Sequence, residues 1–190
     1  FGHAAFVGVG AYCVGISQYY GLYNGWIHIV MALGACGALG LVIGYLSLRT
    51  SGIYFIMITL AFAQMLFFLF VSLEQFGGDD GMSIDRAEFI IIDLWEPLRL
   101  YYLIWAALTL SSILLMFIVR SRFGVVLQAI KGNESRVEAM GLAPLPFKIT
   151  GYVISAMICG LAGALFASWQ EYVSPDIMHS VSYTHLRAHE

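Results

Sequence analysis

Few side chains in this chain could do chemistry, and most of them stand alone. His185 and His189 lie four apart, a spacing at which two imidazoles can share a metal, but no set of carboxylates accompanies them. Asp79 and Asp80 could offer oxygen ligands to calcium. The ligand spacing of a calcium-binding loop is missing, however, and the flanking Gly77, Gly78 and Gly81 read as a solvated turn. Cys13, Cys36 and Cys159 are odd in number and lie in apolar runs, which suits small packing residues. No Ser/His/Asp constellation lies at membrane depth, and no Gly-x-x-x-x-Gly-Lys-Ser/Thr loop occurs. The chain is therefore read as neither an enzyme in itself nor the holder of a metal or cofactor.

The elements that would position these groups are set by composition. Of the 190 residues, 60% are hydrophobic and only 11% charged, and the charges sit in a few blocks between long uncharged runs. A soluble domain is typically about 25% charged. The near-neutral balance of -3 favours neither nucleic acid nor an acidic substrate. This is the pattern of an all-α polytopic membrane protein. Five runs without Asp, Glu, Lys or Arg approach the length that crosses the hydrocarbon: residues 4–23, 26–48, 53–73, 101–119 and 149–169. Their continuity favours helices over the alternating strands of a barrel.

Lys and Arg set the orientation. With residues 120–148 inside, Arg120, Arg122, Lys131, Arg136, Lys148 and Arg49 lie on one side. Only Arg86 and Arg99 remain in the opposite loop, residues 74–100. Tyr19, Tyr20, Tyr23, Trp26, Tyr101, Tyr102, Trp105, Trp169 and Tyr172 then gather at the outer interface, where amphipathic rings settle. The mixed stretch up to Leu100 is expected to include a short helix on the outer surface.

Small residues mark the expected helix contacts. Gly40 and Gly44 form a Gly-x-x-x-Gly pair. In the fifth run Gly151, Ser155, Cys159, Gly163 and Ala167 recur every four residues, as do Ala156, Gly160, Ala164 and Ser168. One side of that helix is nearly smooth and must pack flush, against this subunit or a partner. Gly8 and Gly10 in the first run allow either close packing or a broken helix along a pathway. His3 reads as a polar site residue or a satisfied interfacial histidine. Gln64 is the strongly polar side chain at mid-depth, so its amide must bond to protein or face a wet cavity. Thr59 lies about 140° around the helix from it. Gln64, Thr59, Gly8 and Gly10 are the candidate pathway residues.

The polar block of residues 120–148 is the main functional candidate. Phe123, Val126, Leu127 and Ile130 fall at helical spacing. Gly132 can end that helix, and Asn133 or Ser135 can cap another. Ser135 with Glu138 fits a capping box. Gly141 supplies a stop, and Pro144 and Pro146 oppose quick continuation. A helix of about two turns over residues 134–140, between flexible joints on a membrane protein, has the shape of a docking element.

GHAAFVGVGAY, GIYFIMITLAFAQ, GGDDGMS and SRFGVVLQAIKGNESRVEAMG followed by FKITGYVISAMICGLAGAL occur in that order. Over about residues 2–175 the chain resembles a bacterial ATP-binding-cassette importer permease, more narrowly the LivM-type permease of branched-chain amino acid uptake. The resemblance implies a multi-pass subunit of the bacterial inner membrane, with residues 120–148 cytoplasmic and residues 74–100 periplasmic. Its partners would be a homologous second permease, two cytoplasmic ATPases, a periplasmic substrate-binding protein and the lipid bilayer, with an amino acid as cargo and no nucleic acid. It also implies that Glu138-Ala139-Met140-Gly141, with Glu134, Ser135 and Arg136, form the ATPase-coupling helix. ATP-driven closure would push this helix and tilt the fourth and fifth spans. A urea or amide permease of the same kind is the near alternative. An ion-coupled secondary transporter is the distant one, disfavoured because the runs lack acidic relays. Residues 1–179 are expected to form one permease domain lacking its native beginning and end, and residues 180–190 a non-native tail.

Overall fold

The computed structural model describes residues 2–50, 52–78, 80–84 and 97–178. Seven α-helices are found among them: α1 Gly2–Tyr19, α2 Gly25–Ser47, α3 Ile53–Val71, α4 Pro97–Arg120, α5 Arg122–Gly132, α6 Glu134–Ala139 and α7 Pro144–Gln170. Residues 85–96, where the short surface helix was expected, lie outside the described residues. So does the stretch 179–190 with His185 and His189.

Four helices, α2, α3, α4 and α7, are long and apolar enough to cross a membrane. The remaining expected span is helical over Gly2–Tyr19 but is too rich in glycine and polar residues to join them on composition. The reason is its position. α1 is enclosed by α2, α3 and α7, burying Phe6, Val9, Tyr12 and Val14 along with its small residues. A helix shielded from lipid by its neighbours needs no continuous apolar surface of its own.

Glycine brings α7 against both α1 and α2. A methyl group on Gly163 would stand 2.7 Å from the backbone carbon of Val7, and one on Gly10 would stand 2.8 Å from Cα of Gly160. On the α2 side, a methyl on Gly40 would meet Cβ of Ala156 at 2.8 Å, and one on Gly44 the Tyr152 ring at 2.9 Å. The smooth side of the fifth span thus packs within this chain, with α1 and α2 sharing it. Without a hydrophobic force between helices in lipid, such close approach supplies the van der Waals contact that holds them.

Three hydroxyls within the bundle are met locally, while Ser47 Oγ and His28 Nδ1 are buried without a partner among the described residues. Thr59 donates to the carbonyls of Phe55 and Ile56 at 3.0 Å, Ser17 to Val14 at 2.8 Å and Ser168 to Ala164 at 3.0 Å. Each hydroxyl satisfies itself on its own helix, as lipid surroundings require. His28, buried at the start of α2, donates from Nε2 to the Leu22 carbonyl at 2.7 Å. His3 Nε2 bonds to Ser155 Oγ at 2.9 Å, so it is a satisfied histidine between α1 and α7.

The bundle has an aromatic end, where α1 and α3 finish and α2 and α4 begin, and a basic end bearing α5 and α6. At the aromatic end the GGDDGMSI turn is not merely solvated. Met82–Ser83 pairs antiparallel with Tyr172–Val173, Ile84 N–H donates to the Glu171 carbonyl at 2.9 Å, and the Tyr172 hydroxyl donates to the Asp80 carbonyl. Val173 and Pro175 are fully buried there. The chain beyond α7 therefore keeps a packed role through the 3-10 turn Pro175–Met178.

α4 stands apart. Among its described residues Leu100 alone is buried, packed on Ile29. Two apolar clefts of about 400 and 380 Å³ flank its seam with α7 at Ala107, Ser111, Ile158, Leu161 and Leu165.

Candidate functional site

The polar block folds into a two-helix platform at the basic end. Its first corner is Ser121, whose Oγ donates to the Ile118 carbonyl at 2.6 Å and accepts from Gly124 N–H at 3.4 Å. Gly124 is required here: a methyl group would stand 2.6 Å from the Ile118 carbonyl oxygen, so α5 folds back directly on the last turn of α4. α5 then lays Phe123 against Phe147 of α7, with ring centroids 5.9 Å apart, and Leu127 against Gly151. Gly151 is thus a seat for α5, away from the α1–α2 contact.

A single residue separates α5 from α6. Asn133, with extended backbone at φ -162°, closes one helix and opens the next. Its Oδ1 accepts from Arg136 N–H at 3.1 Å and from the Ser135 hydroxyl at 2.8 Å. The expected Ser135–Glu138 capping box therefore does not form: Asn133 sits one residue before the first helical position, where its oxygen reaches the N3 donor. Ser135, already inside the helix, orients that cap. The joint expected between the two helices is thus a single residue that both of them use.

The far end of α6 is closed by Gly141 at φ +83°. Gly141 N–H donates to the Glu138 carbonyl at 2.9 Å and Leu142 N–H to the Val137 carbonyl at 3.3 Å, the paired bonds of a Schellman motif. Pro144 then stands at the first turn of α7. The prolines thus start the last helix as well as separating it from α6, since its opening N–H groups need no intrahelical partner.

Two ties hold α6 down. Val137 is 2% exposed, and Lys148 Nζ pairs with Glu134 Oε1 at 2.5 Å. With that face anchored, Ser135, Arg136, Glu138, Ala139 and Met140 are all exposed. Met140 and Leu142 put apolar surface into solvent at the tip, 63% and 40% exposed. The result is a short, braced knob with an apolar point. Asn133 was one of the two caps expected for α6, but its second role as the end of α5, the Val137 anchor and the Glu134–Lys148 tie were not read from the sequence. Asn at the cap position was the signal for that cap.

The candidate pathway residues do not come together. Gly10 is closed against Gly160, Gly8 is buried within α1, and Thr59 packs its Cβ region against Gly2. Gln64 is half-buried at the edge of the face of α3 that carries Ala63 and Phe70. None of the four lines either cleft beside α4. Among the described residues no three His, Cys, Asp or Glu side chains gather as a metal site.

The family model described as "Branched-chain amino acid transport system / permease component" matches residues 1–185. The chain is 29% identical over 201 aligned residues to "High-affinity branched-chain amino acid transport system permease protein LivM" of Salmonella typhimurium, covering 92% of this chain and 47% of that protein. The protein of the same description from Escherichia coli matches with the same identity and coverage. The chain spans about half the length of these curated relatives, at 47%. No solved structure matches it significantly.

Proposed function

The chain belongs to the branched-chain amino acid transport system permease family, and from that premise we propose that it is the membrane-spanning subunit of an ATP-binding-cassette importer. In this reading it moves branched-chain amino acids inward across the bacterial inner membrane by alternating access. A homologous second permease completes the membrane part, a periplasmic binding protein delivers the amino acid, and two cytoplasmic ATPase subunits hydrolyse ATP. The basic end faces the cytoplasm, in keeping with six cations there: Arg49, Arg120, Arg122, Lys131, Arg136 and Lys148.

The observation that carries this reading is the braced knob. Glu138-Ala139-Met140 is exposed on a helix whose opposite face is pinned by Val137, and whose neighbour in sequence, α7, begins at Pro144. A force on α6 passes to α7 through the Glu134–Lys148 pair and the short link of residues 140–143. α7 lies in backbone contact with α1 and close contact with α2, so these three helices move as one body. Their motion is against α4, which touches them along a narrow seam.

Single cysteines at Glu138 and Met140, in a background lacking Cys13, Cys36 and Cys159, test the docking role. Cross-linking to a co-expressed ATPase subunit that changes with ATP is the expected result. No cross-link from either position, with both proteins folded and co-purifying, would overturn it.

A further inference from the structure

We infer that the corner between α4 and α5 binds the headgroup of an anionic phospholipid, with Arg120 and Arg122 as its phosphate ligands. Arg120 ends a helix of membrane-crossing length, so its guanidinium stands at the level of the lipid headgroups. Arg122 follows two residues on, across a corner fixed by the Ser121 bonds to Ile118 and Gly124 and by the backbone contact at Gly124. Both arginines are exposed, and among the described residues neither pairs with a carboxylate. Of the two described carboxylates at this end, Glu134 is already held by Lys148, and Glu138 lies on the knob. The corner thus mounts two forked donors that no described carboxylate engages, and guanidinium forks match phosphate oxygens two at a time.

The apolar surroundings favour a lipid over a soluble phosphate. Phe117 and Val119 in the last turn of α4 are 72% and 51% exposed, and Val125 one turn into α5 is 60% exposed. α5 buries Gly124 and Ile130 on one face and turns Arg122, Val125 and Gln128 outward. Such a helix, with apolar residues on its outward side too, suits the headgroup boundary, where an acyl chain can lie beside Phe117 and Val119.

The test is lipid binding to the purified protein in neutral detergent, read by native mass spectrometry with phosphatidylglycerol and phosphatidylcholine. Phosphatidylglycerol should bind more tightly, and its binding should weaken as salt rises. Each of R120Q and R122Q should weaken it roughly fivefold, and the double variant on the order of 30-fold. R136Q removes an equal charge from the knob and should leave it unchanged. Excess inorganic phosphate should not displace the lipid. Equal binding of the two lipids, an unaffected double variant, or a matching loss in R136Q would overturn the proposal. Displacement by inorganic phosphate would reassign the corner to a soluble anion. An arginine-dependent loss of lipid on adding the ATPase subunit would reassign it to that protein interface.

Discussion

A methyl group on Gly10 would stand 2.8 Å from Cα of Gly160, so α1 and α7 meet backbone to backbone at that level. The crossing of Gly163 on Val7 brings the same two helices equally near. The contact excludes any side chain, and it makes the pair a single mechanical unit.

Gly10→Val should therefore force the two helices apart, at a loss of about 1–3 kcal/mol or more. Gly34 has open space around it, so Gly34→Ala should be neutral or slightly stabilising. Thermal unfolding in detergent compares the two. Equal effects would mean that Gly10 is not at a crossing.

The cap of α6 separates two adjacent residues. Asn133→Ala removes the acceptor of the Arg136 N–H and should destabilise the helix by about 1 kcal/mol. Ser135→Ala should change it by only a few tenths, because Ser135 merely donates to the cap. Hydrogen exchange of residues 134–139 reads the difference, and the reverse order would restore the capping-box assignment.

The Glu134–Lys148 pair ties the knob to α7 but is 49% and 27% exposed at its side chains. A double-mutant cycle with Glu134→Gln and Lys148→Met should give a coupling of about 0.2–1 kcal/mol that fades in high salt. A larger, salt-insensitive coupling would show that the pair is enclosed.

At the aromatic end, Met82 lies over Gly15, where a methyl group would be 2.6 Å from its Sδ. Gly15→Leu should lift Met82 and break the pairing of Met82–Ser83 with Tyr172–Val173. Gly15→Ala should be tolerated, since a methionine side chain gives way easily. Limited proteolysis near residues 77–84 should speed up in the first variant alone.

Much of this architecture follows from the sequence taken by itself. Apolar runs in lipid must close their own backbone hydrogen bonds, so residues 26–48, 53–73, 101–119 and 149–169 were bound to be helices. The helices α2, α3, α4 and α7 begin and end close to those limits. Gly141 as the stop of a short helix was equally legible, because a positive φ there favours glycine. What the linear order does not carry is which surfaces meet. The small-residue rows of α7 could have faced a partner, and only the folded bundle places Gly160 and Gly163 on α1 and Gly160 and Ala156 on α2. Asn133 won the cap over Ser135 because the exact first residue of α6 depends on where α5 ends. Gln64, Thr59, Gly8 and Gly10 looked alike as breaks in an apolar pattern, yet they lie in different surroundings. The pairing of residues 82–83 with 172–173 joins segments about ninety residues apart, and no local periodicity encodes it. Hydropathy and capping act within a few turns of chain, whereas helix contacts are settled by the shapes of surfaces brought together from distant segments.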